Sequence, residues 1–132
     1  MNCAHTFFLP LLILLLVSCS TPHFPIEKTE GLKTDSLALM DKASEDHATH
    51  APAISELRTR LDEAKTYEAS LKSNEEAIAL WDRMIDPAGG LLGGFLSQWQ
   101  ARQRVSSAFI PEKKTQVSKA FDQILDATGT AN

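Results

Sequence analysis

The side chains able to bind metal or move protons gather in two short stretches. Asp46-His47-Ala48-Thr49-His50 sets two imidazoles three residues apart beside a carboxylate, a spacing that puts both rings on one face of a helix. A zinc centre needs further donors, and neither finger-type nor helical hydrolase spacing supplies them, so the stretch reads as a polar cluster at a helix end. Glu75 and Glu76 are adjacent. Neighbours on a helix point about 100° apart, so the two carboxylates cannot work as acid and base on one bond; they read as solvated surface. Phosphate-binding loops, dinucleotide fingerprints and nucleophile elbows have no counterpart here. The expectation is a noncatalytic chain with no catalytic or metal-ligating residues and no cofactor.

The other reactive groups are two thiols, Cys3 and Cys19. Between them runs Phe7 to Val17, FFLPLLILLLV, and none of the first 18 residues is Lys, Arg, Asp or Glu. Eleven apolar residues are too few to cross a bilayer but suit the core of an export signal. The run ends in Leu16-Val17-Ser18-Cys19, which resembles the lipobox of bacterial lipoprotein precursors. The resemblance implies cleavage between Ser18 and Cys19, two acyl chains on the Cys19 sulfur and acylation of the new amino terminus. A signal peptide over 1–18 would leave a mature chain of 19–132, held to the membrane without spanning it. Each buried methylene contributes about 0.8 kcal/mol, so several chains anchor firmly. Cys3 departs with the signal and lipid consumes Cys19, which removes disulfide and thiolate chemistry. Ser20 follows the cysteine where Asp would signal retention. In a Gram-negative host the resemblance then implies the periplasmic face of the outer membrane.

The elements beyond the signal read as helices, and no run alternates as a half-buried strand would. Pro22, Pro25 and Gly31 mark residues 19–36 as a lipidated flexible tether. A short leading helix starts near Thr34 to Ser36, carries Leu37, Met40, Ala43 and His47, and stops at His50-Ala51-Pro52. A long helix is expected from Ala53 to Ile85, with Ile54, Leu57, Leu61, Ala64, Leu71, Ile78 and Ile85 on one stripe. Its sevenfold repeat suggests a coiled coil, and hence a homo-oligomer. The companion positions turn polar at Glu68, Glu75 and Asp82, which favours a bundle or hairpin. A third helix carries Phe95, Trp99, Arg102, Val105 and Phe109 on one side, or Leu92, Leu96, Trp99 and Gln103 on another. A fourth follows Pro111, with Val117, Ala120, Phe121, Ile124 and Leu125 inward, and ends at Gly129. The predicted fold is all-α, a small helical bundle or long helical hairpin of three main helices and a short leader. The domain is placed over 37–128, with a disordered tail at 129–132.

Asp86-Pro87-Ala88-Gly89-Gly90-Leu91-Leu92-Gly93-Gly94-Phe95-Leu96 interrupts the pattern. Each glycine costs a helix about 1 kcal/mol, so the segment reads as a turn or close helix crossing. A hinge, or a membrane contact through Gly89, Gly90, Leu91, Leu92, Gly93, Gly94 and Phe95, are the other readings. The whole chain carries a net charge of -4, yet residues 97–126 hold five cations against three anions. Overall acidity and export exclude nucleic acid as a partner. Trp81, Phe95, Trp99, Arg102 and Arg104 are candidates for contact with a protein, against a simpler reading in which the tryptophans fill the core. Two functions follow: an envelope lipoprotein that scaffolds, assists or regulates another exported protein, or a membrane-active or lipid-handling lipoprotein using the glycine-rich segment and its basic neighbours. The first requires a packed interior, the second a broad exposed apolar patch or a hollow between helices.

Overall fold

Pro25 opens the first helix, because its fixed φ suits a helix start and its carbonyl accepts the amides of Lys28 (3.0 Å) and Thr29 (3.1 Å). The computed structural model describes residues 24–71 and 74–129. The residues expected to form the export signal, Cys19, the first part of the expected tether and residues 130–132 lie outside them. Five helices follow in order: α1 (Ile26–Met40), α2 (His47–Leu71), α3 (Glu75–Ile85), α4 (Leu92–Arg102) and α5 (Ile110–Gly129). The fold is an all-α bundle, with no strand among the described residues.

Cross-helix pairs give the register. Lys33 meets Asp122, Lys114 meets Asp41, and Ile26 lies beside Gly129, so α1 and α5 are antiparallel. Arg60 meets Asp35, and the Phe24 amide reaches Glu68, so α1 and α2 are antiparallel as well. Lys65 pairs with Asp82 on α3, whereas Arg58, seven residues back along α2, reaches Ser97 on α4, fifteen residues on. The surplus is taken up by the turn between α3 and α4. These two helices therefore run in the same direction as successive halves of one column against α2. With α3 also packed on α5, the result is a ring of four columns alternating in direction.

The core follows helical spacing. Ile54, Leu57, Leu61, Ala64 and Glu68 are the buried positions of α2, and Val117, Ala120, Phe121, Ile124 and Thr128 continue the seam on α5. Trp81 is fully buried, edge-on to Phe24 and Phe121 with ring centroids 6.2 Å away in each case. Trp99 is fully buried towards the opposite end.

Three sequence expectations change. The tether expected over 19–36 is helical from Ile26 onward, and Thr29, Leu32 and Ser36 are buried. Small polar residues at inward positions hid the stripe. The long helix expected from Ala53 to Ile85 is two helices: α2 ends at Leu71 and Asn74 caps α3, its Oδ1 accepting the Ala77 amide at 3.0 Å. The continuous heptad seam is thereby broken. Finally, α2 begins at His47 and takes Pro52 inside it, where a stop was expected. Proline at this depth removes a helical hydrogen bond. Contacts from α4 and the following loop hold the turn before it in place.

Candidate functional site

Those contacts form the best-defined polar cluster among the described residues, at the end of the bundle where α1 stops, α2 and α5 start, and α4 finishes. The α4 helix stops at Gln103, whose φ of 65° lies in the left-handed region. This reversal aims the Gln103 carbonyl at the His47 amide (2.8 Å), and the Val105 amide donates to the Ala43 carbonyl (2.8 Å). The Trp99 indole N–H donates to the Glu45 carbonyl at 3.0 Å. His47 stands edge-on to the Trp99 ring, with centroids 5.8 Å apart, and His50 lies tilted at 5.5 Å. His50 Nε2 is 2.7 Å from Glu45 Oε2.

Outside this cluster, Arg104 Nε donates to Asp46 Oδ1 at 2.7 Å. That hydrogen bond, and then the guanidinium charge, hold the Asp46 carboxyl below the usual carboxylate range; the same hydrogen bond, and then the carboxylate charge, raise the Arg104 pKa. Both side chains are solvent-exposed, so the pair fixes geometry more than it adds stability. The two histidines predicted to share a helix face do so, and they use it to bracket an indole. No group of three or more His, Cys, Asp and Glu among the described residues could hold a metal.

The loop after α4, a latch closed by the Gln103–His47 and Val105–Ala43 hydrogen bonds, presents an exposed stretch. Arg102, Gln103, Arg104, Ser106, Ser107, Ala108 and Phe109 all face solvent, interrupted only by buried Val105, and Phe109 is 58% exposed. Phe109 was expected on a helical stripe with Trp99 and Val105. The left-handed Gln103 ends that helix early and turns the phenyl ring outward. A non-glycine residue in this conformation left no local signal in the sequence.

Of the five candidate contact residues, Arg102 and Arg104 are exposed, while Trp81, Phe95 and Trp99 are 0%, 3% and 0% exposed. The three aromatics are core residues, and the simpler reading of the tryptophans holds. The proposed membrane-contact segment is likewise turned inward. Leu92, Gly93 and Phe95 are buried, Gly89, Leu91 and Gly94 are half-buried, and only Gly90 is exposed. A Cβ on Gly93 would overlap the Ile85 carbonyl, and one on Gly94 the Gly89 carbonyl, so these glycines let α4 cross directly over the end of α3. Lys113 Nζ donates to the Gly90 carbonyl at 3.2 Å, which ties the turn to α5. Cys19 lies outside the described residues.

The grooves between helices are open to solvent. One of about 610 Å³ between α2 and α3 is lined by Arg58, Lys65 and Arg83 against Asp62, Asp82 and Asp86, a charge-balanced wall with Lys65 paired to Asp82 at 2.6 Å. Another of about 320 Å³ between α1 and α2 has a floor of Leu39, Ala53 and Leu57 beside the Asp35–Arg60 pair. No helix among the described residues is long and apolar enough to cross a membrane. No protein-family model, curated protein or solved structure matches the chain.

Proposed function

We propose that this chain is a noncatalytic lipoprotein of the bacterial envelope, anchored through Cys19, whose helical bundle scaffolds, assists or regulates another exported protein. In a Gram-negative host the lipobox and Ser20 favour the periplasmic face of the outer membrane. The observation that carries the reading is the exposed Phe109, set in a polar and basic stretch that hydrogen bonds tie to the start of α2. An aromatic anchor with arginines close by is the composition of protein–protein hot spots, and a preorganised loop loses little entropy on docking. The inward-turned glycine segment supports this reading over the lipid-handling one.

A photo-crosslinking residue at position 109, in the lipidated protein within its native envelope, should yield one predominant protein adduct. The same residue at Thr66, exposed on α2, should not. Arg102→Glu should reduce the adduct severalfold without altering the circular dichroism. Adducts to lipid alone from position 109 would overturn the proposal.

A further inference from the structure

We infer that the end of the bundle formed by Phe24, Ile26 and Tyr67 rests against the headgroup layer of the bilayer, so that the bundle stands upright. This rests on the reading that Cys19 is acylated. Cys19 and Phe24 are five Cα–Cα steps apart, and at 3.8 Å per step no chain conformation separates them by more than about 19 Å. Phe24 is built into the bundle: its amide donates to Glu68 Oε1 at 2.8 Å, and its ring meets Tyr67 at 5.8 Å and Trp81 at 6.2 Å. The anchor therefore acts on the fold itself.

A second observation is the placement of exposed apolar surface. Among the described residues three large apolar side chains are exposed: Ile26 at 43%, Tyr67 at 38% and Phe109 at 58%. Ile26 and Tyr67 flank Phe24, whereas Phe109 lies at the other end of α5, a helix of 20 residues and about 30 Å. Tyrosine with a neighbouring aliphatic residue suits the interface between headgroups and hydrocarbon. The flanks of the bundle carry the Lys33–Asp122, Arg60–Asp35 and Lys65–Asp82 pairs, which favour water over lipid. Glu27, Glu75, Glu76 and Asp126 are exposed near the anchored end and limit the contact to a shallow one. The latch and Phe109 then project away from the membrane.

The two tryptophans are internal probes of this orientation, since Trp81 packs on Phe24 and Trp99 on the latch. The acylated protein, with its lipid verified by intact mass, would be reconstituted in phosphatidylethanolamine and phosphatidylglycerol vesicles containing a dansyl-labelled lipid. Energy transfer from Trp81 in Trp99→Phe should exceed that from Trp99 in Trp81→Phe severalfold. Because core substitutions risk the fold, fluorophores on Ser70→Cys and Ser107→Cys, both exposed positions, provide a second pair with the same expected order. Equal or reversed transfer from an acylated protein would overturn the orientation and leave the anchor standing. A mass without acyl chains on Cys19 would overturn both.

Discussion

At the scale of single residues, the glycines separate into those that hold the fold and those that do not. Gly93 and Gly94 sit where a methyl group would enter backbone carbonyls of α3 and the turn, and only backbone movement relieves that overlap. Gly93→Ala or Gly94→Ala should cost several kcal/mol in urea unfolding, comparable to the most damaging single substitutions. Gly31 meets nothing within 4 Å and lies inside α1, so Gly31→Ala should stabilise by about 0.5–1 kcal/mol. The sequence presented the 89–94 glycines as one motif, and their unequal roles were not legible because they depend on which carbonyls lie opposite. The Asp46–Arg104 pair has a defined pH dependence. A carboxyl held below its ordinary range contributes fully above that range and loses its contribution as pH falls from there through its lowered value, so the pair begins to weaken below about pH 4. In Arg104→Gln, the Asp46 carboxyl followed by NMR should titrate at higher pH than in the unsubstituted protein; an unchanged midpoint would contradict the assigned cause.

At the scale of helices, the sequence signals were read best where the inward stripe is aliphatic. The seam of α5 and the amino-terminal half of the α2 stripe lie where periodicity puts them. The break between α2 and α3 was legible in principle: Asn74 followed by Glu75 and Glu76 is a helix-start signature, yet the unbroken sevenfold repeat of Leu71, Ile78 and Ile85 masked it. Asn74 serves both neighbours, accepting the Ala77 amide and donating to the Ala127 carbonyl at 3.0 Å. Asn74→Ala should therefore destabilise by about 1–2 kcal/mol in thermal or urea unfolding, and Asn74→Asp, which keeps only the cap, by less. The start of α2 is the opposite case. Pro52 is a true breaker signal, overridden because the His47 amide, the Trp99 indole and the two imidazole contacts order the turn before it from outside the helix.

Across the whole molecule, the largest difference from expectation is the membership of α1 in the core. Leu32 and Met40 are 2% and 0% exposed, and α1 closes the ring between α2 and α5. A fragment beginning at Leu37, the boundary suggested by composition, should lose cooperative unfolding and amide dispersion in NMR, whereas one beginning at Phe24 should keep both. Compositional tether signals failed here because Pro25 marks a helix start, and Thr29 and Ser36 are small enough to be buried between helices. The proposed contact surface was half legible: the basic character of Arg102 and Arg104 appeared in the sequence, but Phe109 needed the Gln103 reversal to become visible.

The proximity of Ile26 to Gly129 governs how the bundle bears mechanical load. Traction between Phe24 and Gly129 pulls at adjacent points on one end, peeling α1 from α5 pair by pair, so Lys33–Asp122 parts before Lys114–Asp41. Traction between Phe24 and Phe109 runs along the helix axes and loads those contacts together in shear. The same bundle is thus soft between Phe24 and Gly129 and stiff between Phe24 and the loop that carries the exposed phenylalanine.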